Sequence, residues 1–244
     1  EYKSDGKSEY VLGMDVARSE SDSNNHSSIA VFKLSRSKNG RIKNIRLVNL
    51  INLPNGLRFD EQTLELKRIR KAFNAKAVVI DGNGLGSAII DEALKETFDP
   101  QTGENLGCWA TINTDKEPEV KDAEEIIYDF NPQAHNSDMI INFIDMVESK
   151  KLLLLEKIDN ANYDINSDEE VKKIAPYLQT DILLAEVANL RLVEKSNRKY
   201  SVEQVVRKIN KDRYSAVAMG LWYIKNFEDN SESTSEYEFG FFFN

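Results

Sequence analysis

The feature that most constrains this chain is a short apolar run with one carboxylate inside it, YVLGMDV from Tyr10 to Val16. An apolar run of this length between polar residues predicts a buried strand. Asp15 would then carry its charge into the interior, where a carboxylate is costly unless cations or hydrogen bonds meet it. The sequence therefore predicts a partner beside Asp15, although an aspartate that caps a turn at the strand end is a plainer alternative.

Two further acids have a similar placement. Asp81 ends the apolar run AKAVVID, and Asp212 precedes the nearly all-apolar segment YSAVAMGLWYI. Taken singly, Asp81 could cap the following helix, and Asp212 could be a helix-start acid favoured by the helix dipole. Three carboxylates from distant segments, each attached to a core element, together predict a metal site assembled by folding. Carboxylates without histidine or thiolate partners favour Mg²⁺ or Mn²⁺.

Composition limits the classes of protein that fit. A single cysteine, Cys108, and two histidines exclude an internal disulfide and a typical structural zinc site. No secretory signal or membrane-spanning run is present, so we expect an intracellular protein. The net charge of −9 argues mildly against a general nucleic-acid binder. Two segments, 33–46 with six basic residues and no acid and 191–213 with eight basic residues and three acids, could each follow a phosphate backbone or simply face solvent.

The first half of the chain predicts a mixed α/β sheet. Asn39-Gly40 is a strong hairpin signal between two of the strands. The expected elements are strands at Tyr10–Val16, Ser28–Leu34 and Ile42–Leu53, a helix at Phe59–Phe73, a strand at Ala77–Ile80, a helix at Gly84–Thr97 and a strand at Leu106–Ile112. The first three strands would form an antiparallel meander. Asp15 and Asp81 would lie at neighbouring strand ends if the first and fourth strands pair, where open α/β sheets gather ligands.

The second half predicts mainly helices and one added β-hairpin. We expect helices at Asp122–Phe130 and Ser137–Lys151, a strand or helix end at Leu152–Leu155, a helix from Ser167 to Ala188 broken at Pro176, a basic hairpin formed by Leu190–Glu194 and Lys199–Val206, and a buried helix at Lys211–Phe227. The predicted domain organisation is a flexible leader at 1–9, a folded domain at 10–228 and an acidic, aromatic, disordered tail at 229–244.

Several other functions can be weighed against a metal site. The glycines of the segment 82–86 are spaced G-x-G-x-G, which departs from the dinucleotide-binding pattern and instead would let a backbone or phosphate approach Asp81. An actin-like or sugar-kinase-like ATPase also begins with an acid on a first strand, but it needs a glycine-rich phosphate hairpin where this chain has Ala17-Arg18-Ser19-Glu20. A non-catalytic assembly module, docking on another subunit through the aromatic tail, is a further alternative.

Three segments resemble the acidic motifs of a known family. GMDVARSESDSNNHSSIAVF, VVIDGNGLGSAIID and NKDRYSAVAMGLWYI are similar to motifs in the nuclease domain of the large terminase subunit of tailed bacteriophages, and the resemblance extends from Tyr10 to Phe227. It implies an RNase H-like fold related to that of RuvC-type resolvases. It also implies that Asp15, Asp81 and Asp212 are the catalytic residues and hold two divalent ions, Mg²⁺ or Mn²⁺, with Asp15 bridging them.

The resemblance further implies an endonuclease that cuts concatemeric double-stranded DNA during genome packaging. The implied partners are a portal protein, a small terminase subunit and an ATPase domain earlier in the same polypeptide, in the cytoplasm of the infected bacterial host at the procapsid. The basic hairpin and its surroundings would contact DNA through Arg198, Lys199, Lys211 and Arg213. One departure is Ile209, where some relatives carry a histidine or an acid, and it predicts a second ion that binds with DNA present.

Overall fold

The computed structural model describes residues 1–17, 26–156, 167–195 and 199–229. A seven-stranded sheet in the order β5-β6-β4-β1-β2-β3-β7 forms its centre, and β8 and β9 pair separately. The strands are β1 Glu9–Asp15, β2 Ser28–Arg36, β3 Ile42–Asn52, β4 Ala77–Asp81, β5 Trp109–Thr111, β6 Glu124–Phe130, β7 Leu152–Leu153, β8 Leu190–Glu194 and β9 Tyr200–Gln204. The helices are α1 Phe59–Phe73, α2 Leu85–Ala93, α3 Pro132–Glu148, α4 Asp168–Ala188 and α5 Asp212–Tyr223, which continues into a π-helical turn at Ile224–Glu228.

The pairing of the central strands confirms the predicted meander. β1, β2 and β3 pair antiparallel in sequence order, with Asp15 opposite Ser28. β4 lies parallel to β1, with Met14 opposite Ile80, and β6 lies parallel to β4. The carboxyl ends of β1, β4 and β6 therefore meet at one edge of the sheet.

Helices cover both faces of this sheet. Leu12 and Met14 of β1 point into a core that includes Leu66 of α1 and Ile89 of α2. Val11 points the other way, into a core that includes Met219 of α5. Burial on both faces is the reason that β1 and β4 are almost wholly apolar. Because side chains alternate along a strand, Asp15 and Asp81 project toward the α5 face.

The segment predicted as a helix at Asp122–Phe130 is instead the strand β6, so that prediction was wrong. β6 pairs with β4 on one side and β5 on the other. Ile126, Ile127 and Phe130 are each at most 1% exposed. Two neighbouring strands and two apolar layers outweigh the weak helical preference of the acidic residues at its start.

Helix α4 continues through Pro176 without the predicted break. Proline has no backbone N–H, so within a helix it leaves the carbonyl four residues earlier without its usual donor. Here the hydroxyl of Tyr2 donates to that carbonyl, which belongs to Lys172. An outside donor thus replaces the missing helical hydrogen bond.

The ends of the domain are attached to the sheet. In the segment 1–9, predicted to be a flexible leader, the carboxylate of Glu1 accepts hydrogen bonds from Tyr10 and Lys33. At the other end, Asp229 accepts a hydrogen bond from the backbone N–H of Ile42. The remainder of the predicted tail, 230–244, lies outside the described residues. Among the helices that the structure describes, none has the length and apolar character needed to cross a membrane.

Candidate metal centre

Asp15 is the last residue of β1 and is partly buried. Burial raises the pKa of its carboxyl group well above the usual range, and the negative charges of Asp212 and Asp81 raise it further. The ammonium of Lys211 opposes this effect. Asp15 therefore interacts electrostatically with both other predicted acids, as a carboxylate at a shared site would.

Asp81 ends β4 and turns into the glycine-rich segment. Its Oδ1 accepts a hydrogen bond of 2.9 Å from the backbone N–H of Asn83. Burial raises the pKa of Asp81, this hydrogen bond opposes the rise, and the charge of Asp129 adds to it. A Cβ at Gly86 would stand 1.7 Å from the carbonyl oxygen of Asp81, so α2 can begin this close to the strand only with glycine there.

Asp212 is the first residue of α5. Its Oδ2 accepts hydrogen bonds from the backbone N–H of His26 at 3.0 Å and from the amide of Asn210 at 3.3 Å. Gly13 lets α5 lie directly on β1, because a Cβ there would stand 2.3 Å from the carbonyl oxygen of Ala216. This contact sets the N-terminus of α5, and with it Asp212, over the end of β1 that carries Asp15.

The three acids come from β1, β4 and α5 and converge on one edge of the sheet. In the part of the chain that the structure describes, no three histidine, cysteine, aspartate or glutamate side chains are grouped closely enough to enclose one ion. The electrostatic coupling joins Asp15 to each of the other two. This donor set consists of carboxylate oxygens only, which fits hard divalent ions that keep several open positions.

Comparison with known proteins adds a structural relationship. A scan against family models found no match, and a search of curated proteins found none either. Among solved structures, the large terminase nuclease from thermophilic phage G20c superposes with a TM-score of 0.54, over 93% of this chain and 86% of that one, at 15% identity. The chain has the large terminase nuclease fold. The magnesium-bound form of the G20c nuclease gives a TM-score of 0.53 at 17% identity, over 90% and 83% of the two chains.

The large terminase nuclease domain of Thermus phage P74-26 is similar to the same degree, with a TM-score of 0.52 at 15% identity over 91% of this chain and 82% of that one. At such identities the likeness establishes the fold, and it confirms the RNase H-like mixed sheet expected from the sequence. The hairpin of β8 and β9 is the added element that the sequence also predicted.

Two acids near the centre of this terminase nuclease fold were not identified from the sequence. Asp129 of β6 lies over the backbone of Gly82, where a Cβ would stand 1.5 Å from its Oδ1. Glu186 of α4 is 1% exposed and adds to the negative potential at Asp15. Asp129 was not recognised because the segment that forms β6 was predicted to be a helix. Glu186 is the one charged residue of the mostly apolar run 182–190, ILLAEVANL, and this is the signal by which it could have been identified.

The predicted DNA-contacting residues divide into separate groups. Arg213 is 8% exposed and donates to Gln179 and Glu186, each at 2.7 Å, so its side chain faces the interior, and its contact with DNA stays a prediction. Its guanidinium makes these hydrogen bonds inside the fold. Lys199 is exposed at the start of β9, Lys211 lies beside the acids, and Arg198 falls outside the described residues.

The other basic segment, 33–46, is partly neutralised. Lys33 pairs with Glu1 and Asp5, and Arg36 pairs with Glu9. Arg36 also ends β2, at the opposite end of that strand from Ser28, which lies across from Asp15. These residues are therefore poorly placed to guide DNA to the acids.

Proposed function

We propose that this chain is the nuclease domain of a bacteriophage large terminase subunit. It would be a divalent-metal-dependent endonuclease that cuts concatemeric double-stranded DNA during genome packaging. The observation that carries the proposal is the convergence of Asp15, Asp81 and Asp212 on one sheet edge of a large terminase nuclease fold.

Two ions, Mg²⁺ or Mn²⁺, would be held by these acids, Asp15 contributing to both and Asp81 and Asp212 to one each. The G20c nuclease, which shares the fold, has been crystallised with bound magnesium. When bound, such ions supply positive charge for the attacking and leaving oxygens of a phosphodiester. The N–H groups of Asn83 and His26 orient Asp81 and Asp212 from outside. The burial and like charges that raise the pKa of Asp15 make its carboxylate the one that gains most from added positive charge.

Duplex DNA would approach along the hairpin, contacting Lys199, Lys211 and Arg198. Because the whole chain carries a net charge of −9, we expect weak, salt-sensitive binding by the isolated domain. Other partners follow from the resemblance: a portal protein, a small terminase subunit and an ATPase domain of the same polypeptide. The site of action would be the cytoplasm of the infected bacterium, at the procapsid.

Neither rival function gains support. An actin-like or sugar-kinase-like ATPase would need a phosphate-binding glycine hairpin after β1, and Ala17 follows instead within the described part of that connection. A docking module would depend on the aromatic tail, which lies outside the described residues. The solved structures compared above are large terminase nucleases.

Cleavage of supercoiled plasmid tests the proposal. Nicked and linear products should form in Mn²⁺ or Mg²⁺ and be absent in EDTA. Asp81→Ala should lower the rate by roughly 100-fold or more, since loss of even an outer-shell partner of a metal ligand costs about 10–100-fold. Asp145→Ala, which removes an exposed acid of α3, is the matched control and should cut normally. Folded wild-type protein that cuts in neither metal, or an Asp81→Ala variant as active as wild type, would contradict the proposal.

A further inference from the structure

The last turn of α4 holds the N-terminus of α5 through Glu186. One carboxylate oxygen accepts a hydrogen bond from the guanidinium of Arg213 at 2.7 Å, and the other accepts one from the backbone N–H of Tyr214 at 3.0 Å. These are the two residues that follow Asp212. The N-cap residue of α5, Lys211, makes no side-chain cap of its own. Glu186 therefore satisfies, from another helix, an N–H group that a capping side chain would normally satisfy.

The same turn of α4 also holds the base of the hairpin. Asn189, three residues after Glu186, donates its amide to the carbonyl of Val206 at 3.0 Å and accepts the N–H of Val206 at 2.8 Å. Its backbone carbonyl accepts the N–H of Val205 at 2.9 Å. The connection between β9 and Asp212 is thus fixed to α4 near both of its ends.

The hydrogen bonds of Glu186 indicate that it positions Asp212 as well as stabilising the fold. The side chains of Glu186 and Arg213 are 1% and 9% exposed, so two charges are held in the interior. Apolar residues of similar volume often stabilise a fold as well as a buried ion pair does. What they cannot do is accept the N–H of Tyr214 and so fix the direction from which Asp212 faces Asp15.

We propose that Glu186 and Asn189 are positioning residues. Glu186 fixes Asp212 relative to Asp15, and Asn189 connects the segment before Asp212 to the hairpin. This inference rests on the proposed nuclease function. A duplex seated on the hairpin would then strengthen divalent-ion binding at Asp212. Because such coupling is reciprocal, a bound ion would strengthen duplex binding by the same factor.

The double variant Glu186→Leu with Arg213→Met tests the first half of the proposal. It removes both charges together, so the fold should be retained, as thermal unfolding would verify. Calorimetry without DNA should show Mn²⁺ binding weakened by about 10-fold. The Mn²⁺ concentration for half-maximal cleavage should rise by a similar factor, with a smaller change in rate at saturating Mn²⁺. The matched control is the double variant Glu104→Leu with Lys71→Met, which removes an exposed ion pair outside both the site and the hairpin.

Asn189→Ala tests the connection to the hairpin. Fluorescence anisotropy with a short duplex should show that Ca²⁺, which also prefers oxygen ligands, strengthens binding to the wild-type protein by about 5-fold or more. Measured relative to its own affinity for the duplex without Ca²⁺, the variant should lose most of that increase. If Ca²⁺ strengthens duplex binding by the variant as much as by the wild-type protein, Asn189 does not connect the hairpin to the metal centre.

A folded double variant with unchanged Mn²⁺ affinity would overturn the positioning role. If the wild-type protein binds Mn²⁺ but cuts no DNA, the proposed function fails while calorimetry still decides the role of Glu186. If the wild-type protein binds no Mn²⁺ with or without duplex, both the metal centre and this inference are overturned.

Discussion

At the scale of single residues, Gly13 determines how closely α5 lies on the sheet. Its missing Cβ leaves room for the carbonyl of Ala216, which belongs to backbone and cannot rotate away as a side chain would. Gly13 is also two residues before Asp15. A shift of α5 at this contact would therefore move Asp212 away from Asp15.

Gly13→Ala should lower the free energy of unfolding by about 1–3 kcal/mol or more, because an added methyl group overpacks the contact with Ala216. Urea denaturation followed by circular dichroism measures this change. Ser215→Ala, on the same helix and partly exposed, should alter it little. Equal stability of the Gly13→Ala and wild-type proteins would mean that α5 does not lie this close to β1.

From the sequence, a functional role could be predicted only for charged residues that interrupt or end an apolar run. Asp15 and Asp81 stood out because they interrupt or end apolar runs. The burial of Arg213 could not be predicted, because counting basic residues gives no information about an interior acid 27 positions away that pairs with it. Glu186 also interrupts an apolar run, but its pairing with Arg213 could be identified only after α4 and α5 had been packed together.

At the scale of elements, α4 shows how a helix tolerates an internal proline. Pro176 removes the donor for the carbonyl of Lys172, and Tyr2 supplies a hydroxyl in its place. The helix therefore remains continuous, but part of its hydrogen bonding depends on a residue from the other end of the chain. Sequence reasoning predicted a break because it considered the helix alone.

Pro176→Ala should stabilise the protein by about 1–3 kcal/mol, since alanine restores the N–H and removes the steric conflict within the helix. Tyr2→Phe in the wild-type background should cost about 1 kcal/mol, the usual net contribution of a hydrogen bond. In the Pro176→Ala background the same change should cost almost nothing. Unfolding free energies of the four proteins form a double-mutant cycle, and additive effects would show that Tyr2 does not replace the lost donor.

At the scale of the whole molecule, Lys67 connects distant parts of one layer. This lysine of α1 is 1% exposed, and its ammonium donates to the carbonyls of Lys95 and Gly107 and to the hydroxyl of Thr97. It thereby links α1 to the segment between α2 and β5. Burial lowers the pKa of Lys67 to about 8.

Because of this lowered pKa, the free energy of unfolding should change with pH in the alkaline range. Between about pH 8 and 10.5 the unfolded chain holds a proton on Lys67 that the folded chain has released, so stability due to this residue rises with pH across that window. Relative to Lys67→Met, the wild-type protein should gain about 2 kcal/mol between pH 7 and pH 9.5. Urea denaturation at several pH values measures the difference. Lys71→Met, an exposed position on the same helix, is the control, and a pH-independent difference at Lys67 would refute the prediction.

The overall architecture could be predicted because β1, β2 and β4 are mostly apolar runs and Asn39-Gly40 marks the turn between β2 and β3. The pairing of β1 with β4 was only a condition for bringing Asp15 and Asp81 together, and the structure meets that condition. The order of the outer strands could not be predicted in the same way. β5 has three residues and β7 has two, too few to show a period, and β6 is a strand because of the neighbours on either side of it.

The contact between Gly13 and Ala216 also determines when the three acids can come together during synthesis of the chain. The two residues are about 200 positions apart, so one face of β1 stays uncovered until the ribosome has made α5. Asp15 and Asp81 can come together early, but Asp212 joins them only at that late step. A nascent chain therefore carries no complete set of acids, and the proposed metal centre would be complete only as the finished domain closes.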